Sequence, residues 1–416
     1  MRFLARRLRT SPAVKPDVLV VEPHVHVAEP SAVVRDTAPR LGRRPVLDGL
    51  RGIAVMLVML GHTDLVHNGY MGVDIFFALS GFLITTLLYE EWRNSGGISF
   101  RGFYARRARR LLPALLLLVT AFTVIYLAAS PFTGWPVLPR DATTLLFVNN
   151  WIAGLGHSSD LGVLNPTWSL AQEEQFYLLW PLALWVLLRL RVHPLAIVLM
   201  LAAAIVGLVA VVPSVHAAHT SYSMYFSPLD RAAELLLGCV GAVLWHNRDQ
   251  LCLSRMLARV SWRSRAAGRS RLALTTARHL AAAVLIAVFA YILLDVRLAN
   301  ERVIFLGANV IAVGVILLLV DVPRSPLSRV LGVAPLCYVG RISYCLYLVH
   351  LLVHNLLQHY LPGRSNDLYA LLTISISVAL SSISWHLFES RVLGRGRVPR
   401  PTARHASQTH AVQVAS

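Results

Sequence analysis

The sequence predicts an all-α, polytopic integral membrane protein of about ten transmembrane helices, with both termini cytoplasmic. Three observations carry this reading. Hydrophobic residues make up 56% of the 416 and charged ones only 14%, against about 25% charged in a soluble chain. Ten mostly apolar runs approach the roughly 20 residues that cross a bilayer. The third observation is where the cations lie. Of 39 Lys and Arg, 32 fall in the tails and in alternate connections, 4 in the intervening connections (Arg140, Arg297, Arg302 and Arg364) and 3 within helices (Arg51, Arg231 and Arg341). This positive-inside bias holds at every connection, places the cation-rich side in the cytoplasm and favours an even helix count.

In chain order, the runs lie at about 46–65, 71–89, 111–130, 170–190, 195–213, 230–246, 277–295, 302–320, 336–358 and 366–389. A further stretch, Ala142 to Trp151, is too short to span and reads as re-entrant or interfacial. Before the runs, residues 1–44 read as a disordered basic cytoplasmic tail. The membrane domain occupies 45–391, and 392–416 read as a second cytoplasmic tail. No signal peptide is expected, because the first long apolar run begins at Pro45 and is of full length. The arginine-rich connection from Asn247 to Ala277 has the composition of an interfacial helix. Cys239, Cys252, Cys337 and Cys345 lie in helices or in that connection, away from where disulfides form.

The partition also accounts for the net charge of +18 and the sequence pI near 10.7. In a soluble protein these values point to nucleic acid. Here the arginines come without a nucleic-acid fold or interleaved aromatics. Nucleic acid is therefore not expected as a partner, and membrane lipid is.

Ionisable groups inside spanning helices are costly and mark function unless they form a structural pair. The first helix carries Arg51 and His62 eleven residues apart, about three turns and roughly 16 Å of rise on one face. An imidazole at that depth suits a general base for a hydroxyl, and an arginine near the cytoplasmic entrance suits a phosphate or carboxylate. The competing structural reading pairs Arg51 with Asp48 and lets His62 bond a neighbouring helix. Arg107 and Arg110 share a helix face at the start of the third run, with Pro113 placed in a first turn. They suit a polyanionic ligand such as nucleotide phosphates, or equally an anionic lipid surface. Glu173 and Tyr177 share a face where the fourth run enters from the outer side, and Asp74 lies near the outer end of the second. Arg231 and Glu234, three apart, read as an intrahelical ion pair. His350 and His354 have a metal spacing with no Glu or Cys to complete it, so packing or hydrogen bonding is expected and no metal is. Trp385 with Glu389 reads as an interfacial anchor.

Five motifs in order give the chain a resemblance to acyltransferase family 3, the membrane-bound bacterial O-acyltransferases. They are Leu47 to Gly52 leading into Arg51-x10-His62, Gly72 to Ile84, Phe103 to Pro113, Trp168 to Tyr177, and Arg341 to His350. Gln172 stands where many members have Val. The resemblance spans roughly Pro45 to Arg391 and implies a stand-alone form without a C-terminal hydrolase-like domain. It further implies transfer of an acyl group, often acetyl, from cytoplasmic acyl-coenzyme A as cosubstrate. No permanent cofactor is implied. The acceptor would be a hydroxyl of a sugar, a cell-surface glycan or a secondary metabolite such as a macrolide, and the location the bacterial plasma membrane.

By motif position, the resemblance implies that His62 would be the catalytic histidine, with Arg51 its partner. Arg107 and Arg110 would bind the cosubstrate, while Asp74, Glu173 and Tyr177 would shape the acceptor side. A covalent route through Ser80 or Ser169 is less economical, since the sequence places no base beside either. The rival class is a transporter or flippase using the same intramembrane groups.

Overall fold

The computed structural model describes residues 40–42, 44–129, 137–215, 225–248, 250–251, 301–322 and 325–390, with a few positions between 280 and 290. The chain divides after Thr37. Every residue of the first unit lies outside those described, as do the second expected tail, the first expected tail except Arg40, Leu41, Gly42 and Arg44, Cys252, and nearly all of the connection from Asn247 to Ala277.

Described residues of the second unit are helical, joined by turns and short connections, with no strand among them. The long helices are α1 (Pro45–His62), α2 (Met71–Ser95), α3 (Phe100–Ala129), α4 (Thr167–Arg189), α5 (Pro194–Val215), α6 (Pro228–His246), α7 (Glu301–Asp321), α8 (Ala334–Tyr360) and α9 (Asn366–Ser384). They coincide with nine of the ten expected runs. Most of the run at 277–295 lies outside the described residues. Six of the nine are both long and apolar enough to cross a membrane: α1, α2, α3, α7, α8 and α9. The outward surface is apolar, with Leu127 73%, Leu178 62% and Leu199 60% exposed, as a chain solvated by lipid requires.

α2 is the central helix. It packs against α1, α6, α7 and α4, while α1 lies most extensively on α8. Glycines set these crossings. A Cβ on Gly340 of α8 would collide with the Asp48 carbonyl of α1, and one on Gly81 of α2 with the Leu235 carbonyl of α6. Small residues at such points let backbones approach closely, which is how helices associate where lipid tails remove the hydrophobic drive.

One boundary differs from the sequence reading. The third helix begins at Phe100, so Pro113 lies in its interior rather than its first turn. Its missing N–H leaves one carbonyl of the preceding turn without a helical partner. The arginines upstream therefore belong to a continuous helix, tied to the end of α2 by an Arg106–Glu91 ion pair at 3.2 Å. The stretch from Ala142 to Trp151, read as re-entrant or interfacial, falls across two short helices, Val137–Leu145 and Asn149–Ile152, with Phe147 at φ 54° between them. A π-turn (Ala153–His157), a helical turn (Ser158–Leu161) and a 3-10 turn (Gly162–Leu164) follow and lead into α4.

Candidate active site

Two cavities lie along the α1–α2–α8 contact, and the sequence-predicted residues divide between them. The first, about 260 Å³, is lined by Arg51, Arg107, Arg110, Glu173, Tyr177 and Ser80, with Ser343, Tyr344 and Tyr347 from α8. The second, about 480 Å³, is lined by His62, Val58, Tyr70, Asn165, Trp168, Tyr225, Phe226 and Phe305. Val73 and Tyr347 line both. Arg51 and His62 thus occupy one face of α1 as the spacing predicts, but each opens into a different cavity.

In the arginine cavity, Arg107 stacks over the Tyr177 ring at 3.3 Å from its centroid and lies 3.6 Å from the Glu174 carboxylate. Arg51 donates to Ser343 Oγ at 3.4 Å and forms no ion pair with Asp48. Arg110 also forms none among the described residues, and Arg51 is its strongest like-charge neighbour. The Glu173 carboxylate accepts from Ser80 Oγ at 2.7 Å and from Tyr177 OH at 3.1 Å. Three guanidinium groups and one carboxylate therefore line one small cavity, a combination that a membrane interior tolerates poorly unless an anion joins it.

The sequence reading put Glu173 and Tyr177 on the acceptor side, and the structure places both in the cavity lined by the arginines rather than in the one lined by His62. α4 enters at Thr167, and ten residues of helix carry Tyr177 roughly 15 Å down the bundle, into the arginine cavity. The same fold supplies what the sequence did not show, a base beside Ser80, because Glu173 reaches it from 93 positions away.

Asp74 lines neither cavity. It is fully buried in an ion cluster, with Arg231 at 2.8 Å, and Arg231 in turn lies 2.8 Å from Glu234. The intrahelical Arg231–Glu234 pair is present as read, but its link to Asp74 spans 157 positions. Asn309 Nδ2 donates to the Asp74 carbonyl at 3.1 Å. The Arg231 guanidinium lies 4.4 Å from the Phe305 ring centroid, 5.0 Å from that of Tyr225 and 5.7 Å from that of Trp168. Those three rings form a wall of the histidine cavity, so Asp74 acts on it only from behind. Enclosure pushes the Tyr225 phenol well above the usual tyrosine range, which keeps it a neutral donor.

The histidine cavity has a defined tautomer at its centre. His62 lines it, and His62 Nδ1 lies 2.9 Å from the Val58 carbonyl. A carbonyl only accepts, so Nδ1 carries the proton and Nε2 keeps its lone pair. The His350 ring packs edge-on against His62, centroids 5.0 Å apart. His350 Nδ1 donates to the Tyr347 carbonyl at 2.6 Å. The sequence reading of His350 as packing and hydrogen bonding describes these contacts but missed that they fall on His62. His354 lies 3.4 Å from Thr373 Oγ1. Among the described residues, no group of three His, Cys, Asp or Glu stands together to hold a metal ion. Trp385 lies in a π-turn that ends at Glu389, whose side chain is outside the described set. Cys239, Cys337 and Cys345 are buried, and no disulfide joins them among the described residues.

Residues 44–386 match the family model described as an acyltransferase domain. Three relatives align over 85% of this chain. YrhL of Bacillus subtilis is 30% identical and covered over 55% of its length. The peptidoglycan O-acetyltransferase OatA of Listeria monocytogenes is 28% identical and covered over 56%. The O-acetyltransferase OatA of Staphylococcus aureus is 29% identical and covered over 57%. The chain thus spans just over half the length of these relatives. No solved structure matches it.

Proposed function

The chain belongs to this acyltransferase family, and from that membership we propose that it transfers an acetyl group from cytoplasmic acyl-coenzyme A to a hydroxyl of a glycan. The observation that carries the donor assignment is the arginine cavity. Arg51 and Arg110 have no carboxylate partner among the described residues, and their cavity belongs to the end of the bundle that the positive-inside bias assigns to the cytoplasm. A cosubstrate bearing phosphates supplies the missing anions. Arg107, already stacked and paired, fixes the cavity's shape, and Glu173 and Tyr177 hold it from the α4 side.

His62 is the proposed general base. With Nε2 left to accept, it lines the larger cavity together with the Trp168, Tyr225 and Phe305 rings, which suit a sugar ring, and all three relatives carry O-acetyltransferase in their names, two of them of peptidoglycan. The acceptor hydroxyl attacks the thioester carbonyl, its proton passes to His62 Nε2, and the carbon–sulfur bond breaks. The domain runs from about 45 to 391, in line with the matched residues 44–386, and sits in the bacterial plasma membrane. The family match argues against a transporter, which would have no need of a phosphate site at one end alone.

Arg110→Ala removes a charge-assisted contact of about 1.5–3 kcal/mol, so the donor KM should rise by about tenfold to a hundredfold with the acceptor KM unchanged. Steady-state kinetics with acetyl-coenzyme A and a peptidoglycan fragment, on purified protein in micelles, provide the check. An unaltered donor KM would remove the arginine cavity from the donor site.

One observation favours a second route. Ser80 Oγ donates to the Glu173 carboxylate in the proposed donor cavity, which is the arrangement of a nucleophile and its base. If an acyl-Ser80 intermediate forms, mixing the protein with acetyl-coenzyme A without acceptor leaves one acetyl group on the peptide containing Ser80, read by mass spectrometry. An unmodified peptide in a protein that turns over the donor leaves direct transfer as the mechanism.

A further inference from the structure

We propose that Tyr347 is the partition between the two cavities, a positioning residue that admits the acyl group to the acceptor side while keeping water from the thioester. The proposal rests on the donor and acceptor reading above. Among the described residues, only Val73 and Tyr347 line both cavities. Val73 is small and buried, so the bulk of the wall is the tyrosine ring.

That ring is held at its tip and along its edge. Tyr347 OH donates to the Pro166 carbonyl at 3.1 Å and shares a hydrogen with Ser169 Oγ at 2.7 Å, both at the start of α4. Its ring meets Phe76 of α2 edge-on at 6.1 Å. The partition therefore bridges three helices, and α8 cannot shift it without breaking the phenol's bonds to α4.

The same turn of α8 connects the wall to the base. His350 Nδ1 donates to the Tyr347 carbonyl at 2.6 Å, and the His350 ring packs against His62 at 5.0 Å. A movement of Tyr347 that opens the wall is thus transmitted to the ring against the base.

Water competes with the acceptor in this chemistry. In transfer, the acceptor oxygen bonds to the carbonyl carbon, the carbon–sulfur bond breaks, the hydroxyl proton goes to His62, and the thiolate leaves into the arginine cavity and is protonated to the free thiol. In the wasteful reaction, water takes the acceptor's place and yields the free carboxylic acid and the same thiol. Excluding water from a reactive centre is a recognised task of active-site walls. An aromatic ring on the wall that the two cavities share is positioned to do it.

The test measures thiol release from acetyl-coenzyme A with and without a peptidoglycan-fragment acceptor, in the full chain in micelles. Tyr347→Ala should raise acceptor-independent thiol release relative to transfer by about tenfold or more, with the donor KM changed by less than about threefold. Tyr347→Phe keeps the ring and should leave that ratio within about threefold of the parent. Tyr347→Leu, which fills more of the wall than alanine, should fall between them and replaces the alanine variant if that one fails to fold by thermal unfolding. An unchanged ratio in Ala or Leu overturns the partition. Equal increases in Ala and Phe also overturn it, because the hydroxyl rather than the ring would then be responsible. A parent protein that neither releases thiol nor is stabilised by coenzyme A defeats the donor reading itself, an outcome distinct from either.

Discussion

Protein carrying His62→Ala should lose about 10²- to 10⁴-fold in acyl transfer, the range that a positioned general base supplies. Binding of coenzyme A should be unchanged. The two halves of this expectation come from the two cavities. His62 lines the aromatic cavity and Arg107 and Arg110 line the other, so deleting the imidazole removes the proton acceptor without touching the proposed phosphate site. The Val58 carbonyl fixes the proton on Nδ1 and leaves Nε2 to accept. For the same reason His62→Gln should not restore activity, although its amide matches part of the ring's hydrogen bonding, because an amide nitrogen is no base at neutral pH. Turnover with acetyl-coenzyme A and acceptor, paired with calorimetric titration of coenzyme A, separates the two terms. A variant that keeps parental turnover removes His62 as the base. One that loses coenzyme A binding as well as turnover places His62 in the donor site and denies the separation of the cavities.

How much of this was legible in the sequence follows from the range over which each signal acts. The helices were legible because a spanning helix writes its whole length as a local apolar run. Nine of the ten expected runs lie on observed helices for that reason. The start of the third helix was not, because Arg101, Arg106, Arg107, Arg109 and Arg110 break the apolar pattern before Leu111, although arginine is a good helix former. Local spacing found Arg51 with His62 and Arg107 with Arg110, since helical periodicity puts them on shared faces.

The same periodicity says nothing about depth, which is why it does not show that Glu173 and Tyr177 share a cavity with the arginines. Counting 1.5 Å per residue from Thr167 would have placed Tyr177 nearer the arginines. Contacts between distant segments left no local trace. Ser80 with Glu173, Asp74 with Arg231, Tyr347 with Ser169 and His350 with His62 all depend on which helices pack together. The motifs that carry these residues were recognised as a set, but their pairing came only with the fold.

Arg231→Leu should be among the most destabilising single substitutions in the bundle, costing about 3–5 kcal/mol, as breaking a buried ion pair does when it strands a charge. The reason lies in the count of charges. Arg231 stands between two carboxylates, Asp74 and Glu234, each at 2.8 Å, and all three side chains are buried. Removing the guanidinium leaves two buried acids facing one another with no cation. Removing one acid, by Asp74→Asn or Glu234→Gln, leaves a neutral pair intact and should cost less than half as much. The expected order is therefore Arg231→Leu far above either amide variant, and Arg231→Leu combined with both amides should recover part of the loss. Denaturant unfolding in micelles measures that order. Function should follow the wall rather than the ion. Because Arg231 sits against the Phe305, Tyr225 and Trp168 rings, any Arg231 variant that folds should show a raised acceptor KM with the donor KM intact. If Arg231→Leu is no less stable than Asp74→Asn, the cluster is not held by its cation. Its burial would then have to be explained by the packing of the four helices around it alone.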